Sequence, residues 1–281
     1  MKEFPDFVFA RHGNASIWLR RNLARPSLLD SLTDADRLLD ASDCDIIKDQ
    51  KKVKVGRVSL NWGEVKVVYI KRFNAFSLRY RLQSIIACSG AKRSLRGAAI
   101  LSAIGVPTAR PVAVIEHRNA RMLVKSFYLS DEVKGGKTAD AFWREDLKKI
   151  TGVEGVRCRR GFLRKLAELF SRLHQNHVYH NDLKDANIIV SPSSDNAPGS
   201  LYLLDLEGVR RYARLSRGRQ VKNLVQLNRT FGRYLSRSEL LLLLRCYLSG
   251  NTDGRGGIRA WAKDISKRSV RLDRIKNNDH G

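Results

Sequence analysis

The sequence predicts an α+β fold in two lobes, a small antiparallel sheet first and a mostly helical part second, and three observations carry that prediction. Short runs of β-branched residues bounded by turn residues occupy 46–70 and return at 111–127, the signature of paired strands. A helical stretch over 78–104 interrupts them. Past Leu129 the character changes, and Phe162, Leu163, Leu166, Leu169, Phe170 and Leu173 recur at the three-and-four spacing of one buried helix face. The expected organisation is an N-terminal extension over 1–42, a strand-rich lobe over 43–128, a helix-rich lobe over 129–249 and a basic tail over 250–281.

In chain order, Thr33 followed by Asp36 and Leu38-Leu39 reads as a capped short helix in the extension. Strands are expected at 46–47, 53–58 and 65–70, an antiparallel meander whose last turn is Asn61-Trp62-Gly63-Glu64. The helical segment places Leu82, Ile85, Ile86, Leu95, Ile100 and Leu101 on apolar positions and closes at Gly105 and Pro107. Two further strands, 111–116 and 122–127, complete a five-stranded lobe. A Gly/Lys loop at 133–138 opens the second lobe. Residues 188–190 and 201–204 form a hairpin around the loop 191–200, and helices follow from 221 to 248. Arg255, Arg259, Lys263, Lys267, Arg268, Arg271, Arg274 and Lys276 mark the basic tail, a candidate membrane-facing patch or a plain solvated terminus.

Composition restricts partners more than fold. In 281 residues, 53 Lys and Arg stand against 28 Asp and Glu, a formal net charge of +25 that draws the chain to polyanions. The apolar fraction of 43% is enough for an ordinary core, so disorder is excluded. The four cysteines, Cys44, Cys88, Cys158 and Cys246, show no paired spacing and read as reduced core thiols rather than a disulfide framework or zinc site. With no signal-peptide pattern in residues 1–11 and no spanning apolar run, a cytoplasmic chain, at most peripheral on a membrane, is expected.

The chemistry concentrates in Tyr179-His180-Asn181-Asp182-Leu183-Lys184-Asp185-Ala186-Asn187, followed by the apolar strand Ile188-Ile189-Val190. This is the H-x-D-L-K-x-x-N catalytic loop of protein-kinase-like enzymes. Phosphoryl transfer needs a carboxylate that orients the attacking hydroxyl and takes its proton, the position of Asp182. Lys184 offsets the charge spread over the transferring oxygens, and Asn187 offers an amide oxygen to Mg2+. Downstream, Leu203-Leu204-Asp205-Leu206-Glu207-Gly208 ends an apolar strand in an acid, and Asp205 is the second Mg2+ candidate. Lys71, at the end of the 65–70 strand, is the candidate anchor for the nucleotide phosphates. Any one of these residues alone reads as a solvated turn or strand end; their order along the chain points to a site for Mg-ATP. His180 reads as scaffold for the loop, and His174 and His177 as ordinary helix-end residues.

With those motifs in place, the sequence resembles the lipopolysaccharide kinase family, the Kdo/WaaP group of bacterial kinases, over about residues 43–235. The likeness also rests on Lys71-Arg72-Phe73-Asn74, on Gly105-Val106-Pro107-Thr108-Ala109-Arg110-Pro111-Val112-Ala113 and on Asp205-Leu206-Glu207-Gly208-Val209-Arg210. The resemblance implies a two-lobed protein-kinase-like fold. It also implies transfer of the γ-phosphate of ATP to a sugar hydroxyl, on heptose or Kdo, of the lipopolysaccharide inner core at the cytoplasmic face of the inner membrane. Asp182 is then the base, Asn187 and Asp205 the metal ligands and Lys71 the phosphate anchor. An anionic glycolipid suits the positive charge independently.

Three departures accompany the resemblance. No Gly-rich phosphate loop is present, its place being taken by Gln50-Lys51-Lys52; no acid occurs between Glu64 and Glu116 to pair with Lys71 from the helix; and no A-P-E follows Asp205, while Asn181 stands where phosphorylation-regulated kinases carry Arg. A basic segment, 210–219, follows instead, which argues against ordinary protein substrates. Two alternatives stay open on the sequence: an atypical, RIO-like protein kinase, which RNA association would mark, and a pseudokinase that binds without turnover.

Overall fold

The computed structural model describes residues 4–193, 199–250 and 257–278. They divide into two compact units, Met1–Ala99 with Ala109–Glu132, and Ile100–Thr108 with Val133–Gly281.

The first unit is built on a seven-stranded antiparallel sheet rather than the five strands expected. The two additional strands come from the extension: β1 (Phe7–His12) and β2 (Ala15–Arg20) form a hairpin, and β2 pairs in turn with β6 (Pro111–Asn119). Then come β7 (Met122–Asp131), β5 (Val65–Asn74), β4 (Val53–Trp62) and, at the far edge, β3 (Cys44–Asp49). Period-two alternation gives the sheet two buried faces. Ile17, Leu19, Val68, Ile70, Ile115, Phe127 and Leu129 pack with Leu28 and Leu32 of α1 (Pro26–Leu32) and Leu39 of α2 (Asp36–Leu39). The alternate positions Phe73, Val114 and Tyr128 pack with Ala91 and Leu95 of α4 (Gly90–Ala103).

The extension is therefore part of the core, and its polar atoms bind it further. Asp36 accepts hydrogen bonds from Arg72 at 2.7 Å and from Lys125; burial of the Asp36 carboxyl opposes ionisation, yet these two cations hold its pKa below the usual carboxylate value. Thr33 does not cap α2: it closes α1, its hydroxyl donating to the Asp30 carbonyl at 2.6 Å. The apolar residues of β1, Phe7-Val8-Phe9-Ala10, run consecutively instead of alternating, so pairing with β2 rather than a period-two pattern marks the segment as a strand.

The expected single helix over 78–104 is two, α3 (Leu78–Gln83) and α4, separated by a turn at 84–89. Leu95 and Leu101 are buried as expected, but Leu82, Ile85 and Ile86 are exposed. The end of α4 is as read: the Val106 amide donates to Leu101 and the Gly105 amide to Ser102, a Schellman closure in which Gly105 takes φ +66°.

The second unit is mostly helical. The short strand β8 (Lys137–Thr138) leads into α5 (Ala139–Glu145) and α6 (Gly152–Gln175). All six residues of the α6 stripe are buried, and Trp143, Phe162 and Phe231 meet edge to face or tilted at 5.5–6.0 Å between ring centroids. After α6 come β9 (Val178–His180), β10 (Ile188–Val190), β11 (Leu201–Leu203) and β12 (Val209–Arg211). The expected hairpin is β10 with β11, joined by β8; the middle of its loop, 194–198, lies outside the described residues. The helices α7 (Arg217–Thr230), α8 (Arg237–Gly250) and α9 (Ile258–Asn278) complete the unit.

The basic tail is thus largely α9. Its face toward α7 and α8 is fixed by buried Trp261, 5.7 Å from the Tyr247 ring, by the Asn228–Ser269 hydrogen bond at 3.0 Å and by the Arg229–Asp273 ion pair at 2.7 Å. Its acids serve that docking, which leaves Arg259, Lys263, Lys267, Arg268 and Arg271 exposed. Arg255 and the side chains of Arg274 and Lys276 lie outside the described residues. Of the cysteines only Cys158 is a buried core thiol, the other three being half-buried, and among the described residues none is in a disulfide. Among the described residues no helix is long and apolar enough to cross a membrane.

Candidate active site

In the second unit the loop 180–187 is held from three sides. Where α6 ends, His177 takes a left-handed conformation, φ +59°, and turns the chain into β9, which pairs with β12. His180 is fully buried: its Nε2 donates to the Leu204 carbonyl at 2.9 Å and its Nδ1 accepts from the Asp182 amide at 3.2 Å. One ring nitrogen donates and the other accepts, so the ring is neutral, and burial lowers its pKa. His180 is scaffold, as read from sequence.

Inside that frame three candidate side chains converge. Lys184 Nζ lies 2.7 Å from Asp182 Oδ2, and Asn187 Nδ2 donates to the Asp182 carbonyl at 2.7 Å and to its carboxylate at 3.2 Å. Asp182 and Lys184 keep 43% and 39% of their side-chain surface in solvent, so the pair is open to a substrate. The Leu204 amide donates to the Asn187 carbonyl at 2.9 Å, which places Asp205 next to the loop. Asp205 adopts φ 57°, ψ 52°, a left-handed conformation that costs a non-glycine residue roughly 1 kcal/mol. The turn after it closes on Gly208, where a Cβ would fall 2.8 Å from that of Asn181; the Asn181 amide donates to the Gly208 carbonyl at 3.2 Å. The glycine of the Asp205-x-x-Gly208 pattern is needed for this close approach.

Lys71 belongs to the first unit. It lies within β5 rather than at its end, opposite Val55 on β4 and Tyr128 on β7. By alternation it shares the α4 face of the sheet with Phe73, whose ring centroid is 4.9 Å from its Nζ. The Gln50-Lys51-Lys52 turn joins β3 to β4 as expected, closed by reciprocal hydrogen bonds between Gln50 and Val53 at 3.0 and 3.1 Å.

Residues not singled out in the sequence support the loop from beneath. Asn223 donates to the His180 carbonyl at 2.6 Å, while Gln226 accepts from the Leu183 amide at 3.2 Å and donates to the Asn181 carbonyl at 2.5 Å. Asn223 Nδ2 also reaches Gln226 at 2.9 Å, so its Oδ1 is left to accept from His174 Nε2 at 3.3 Å; His174 Nδ1 then accepts from the Tyr247 hydroxyl at 2.9 Å. His174 is therefore no ordinary helix-end residue: it is buried, and burial pushes its pKa down to about 4 against the smaller opposing pull of Asn223. The available signal was amides at 223 and 226 interrupting the apolar run Val221, Leu224, Val225, Leu227.

The lipopolysaccharide kinase (Kdo/WaaP) family model matches residues 63–247, two thirds of the chain. The chain belongs to this family. The matched span contains Lys71, Asp182, Lys184, Asn187 and Asp205 and leaves out α9 and the strands β1 to β4. A solved structure of WaaP in complex with acyl carrier protein has the same fold, with a TM-score of 0.61 at 18% identity over 83% of this chain and 90% of that one. No curated protein matches. The family and the fold together make this chain a kinase-like phosphotransferase of lipopolysaccharide biosynthesis.

Proposed function

We propose that this kinase transfers the γ-phosphate of ATP to a sugar hydroxyl of the lipopolysaccharide inner core, heptose or Kdo. The observation that supports it is the convergence of Asp182, Lys184 and Asn187 within hydrogen-bond distance on one loop. Asp182 orients the attacking hydroxyl and accepts its proton as the new O–P bond forms and the bond from the γ-phosphorus to the β,γ-bridging oxygen breaks, ADP leaving. Lys184 sets its ammonium group beside that carboxylate, where it offsets the charge on the transferring phosphoryl oxygens. Lys71 anchors the nucleotide phosphates.

The donor set suits Mg2+. Asn187 spends its Nδ2 on Asp182, which turns Oδ1 away from that carboxylate, and Asp205 supplies a second oxygen ligand. Among the described residues no group of three His, Cys, Asp or Glu is arranged for a metal, and magnesium in kinases asks for one or two protein oxygens beside those of phosphate and water. When bound, the ion neutralises the nucleotide's phosphates. The acceptor is lipid-anchored and anionic, so the protein works at the cytoplasmic face of the inner membrane, attracted there by its excess of cations.

The test is transfer of labelled γ-phosphate from Mg-ATP to purified deep-core lipopolysaccharide, beside a generic protein substrate. Label is expected in the glycolipid and to fall by about 10²–10⁴-fold in Asp182→Asn. Label in protein alone, or undiminished transfer by the variant, overturns the proposal.

A further inference from the structure

The helix α3 and the turn after it invert the usual arrangement of an amphipathic segment. Leu78, Leu82, Ile85 and Ile86 fall at i, i+4, i+7 and i+8, one face of a helix, and the 3.2 Å hydrogen bonds from Ile85 to Leu82 and from Ile86 to Gln83 continue the coil through them. That face is turned to solvent: the four residues are 67%, 53%, 49% and 95% exposed, and Phe76 beside them is 41% exposed. No residue of α3 is buried. What holds the segment to the sheet is polar. Ser84 is buried, its hydroxyl accepts from the Leu123 amide of β7 at 2.8 Å, and its carbonyl accepts from Arg118 at 2.9 Å. Five large apolar side chains within eleven residues, standing outward from a polar anchor, are not a byproduct of packing, since scattered surface apolars do not share one face.

The surroundings name the class of surface that covers it. Arg79 is exposed on the segment itself, Lys52 stands 4.9 Å from the Phe76 ring centroid, and Arg93 and Arg96 both bond to Cys88, two residues past Ile86. No Asp or Glu occurs from 65 to 115. A patch that is apolar at its centre, flanked by basic side chains and carried on a segment without acids matches the interface of an anionic bilayer, where aliphatic side chains enter the headgroup boundary and Lys and Arg meet lipid phosphates.

We infer that residues 76–86 form a membrane-docking element that inserts Leu78, Leu82, Ile85 and Ile86 into an anionic lipid leaflet. The inference rests on the proposed lipid-anchored substrate only for its purpose; the docking itself needs neither nucleotide nor lipopolysaccharide. The full chain is floated with vesicles of phosphatidylethanolamine and phosphatidylglycerol, free of lipopolysaccharide, beside the L82N/I86N variant and vesicles of phosphatidylcholine alone. Partitioning to the anionic vesicles is expected to fall about tenfold or more in the variant, with thermal unfolding unchanged, and to be weak on phosphatidylcholine for both proteins. In the I86W variant, brominated lipid is expected to quench fluorescence beyond the loss seen in the parent. Equal flotation of parent and variant, equal binding to neutral vesicles, or no added quenching overturns the inference. So does a variant that keeps its vesicle binding but loses binding to an acidic protein such as acyl carrier protein, because the patch is then a protein-docking surface. Failure of glycolipid phosphorylation with flotation intact would remove the proposed activity and leave the docking element standing.

Discussion

Two helical stripes in this protein have the same sequence pattern and opposite fates. Phe162, Leu163, Leu166, Leu169, Phe170 and Leu173 on α6 are at most 7% exposed, whereas Leu78, Leu82, Ile85 and Ile86 on and after α3 are 49–95% exposed. Periodicity defines a face but not what lies against it. The 24 residues of α6 span enough length to meet α8 and the Trp143–Phe231 aromatic pair, while the six of α3 are pinned by Ser84 with their apolar side outward. The largest expected difference is in stability. Phe162→Ala should cost about 3–5 kcal/mol in urea unfolding, because it removes a ring at the centre of the aromatic cluster and leaves a cavity. A cost below about 1 kcal/mol would mean that the α6 stripe is packed no better than α3.

The buried side of α6 also carries a titratable group, whereas α3 has no buried residue at all. With its folded pKa at about 4 and an unfolded value near 6.5, His174 binds a proton in the unfolded chain before it does in the folded one. Its contribution is therefore fully present above pH 6.5 and is lost as pH falls toward 4, by about 3 kcal/mol at most. Unfolding free energies of the parent and His174→Gln, measured from pH 7 to pH 4, should converge with this sign. Parallel curves would show that His174 titrates alike in the folded and the unfolded chain, and that the neutral chain from Tyr247 to Asn223 is misassigned.

Legibility in the sequence followed the same division between pattern and partner. The 180–187 loop was readable because its spacing is imposed within a few residues: Asn187 reaches back five positions to Asp182, and His180 reaches forward two to the Asp182 amide. The meander β3–β4–β5 was readable from alternation and from its turns. What escaped depends on residues distant in the chain. β1 and β2 are strands because β6 pairs with β2 about a hundred positions later, and Asp36 is bound by Arg72 and Lys125, which no local window contains. Asn223 and Gln226 support the loop across more than forty residues, and their only local trace is a polar break in an apolar run.

That support predicts a smaller effect than the core ring. Asn223→Ala orphans the His180 carbonyl and one nitrogen of His174, at about 1–3 kcal/mol of stability. Activity should fall more than the folded fraction does, because the same amide bears on the loop that carries Asp182. Activity falling only in step with the folded fraction would make Asn223 a core residue and nothing more.

The smallest expected effect closes the comparison. Ile86→Ser changes the most exposed residue of the α3 stripe, 95% exposed, and in solution should shift stability by no more than about 0.5 kcal/mol, against the several expected for Phe162→Ala. The reason is that burial, rather than apolar character, is the source of stabilisation: a side chain already in water has no transfer free energy to lose. Urea unfolding without lipid measures this directly. A loss comparable to that at Phe162 would place Ile86 in contact with the fold, and the α3 stripe would then be core that differs from α6 only in degree.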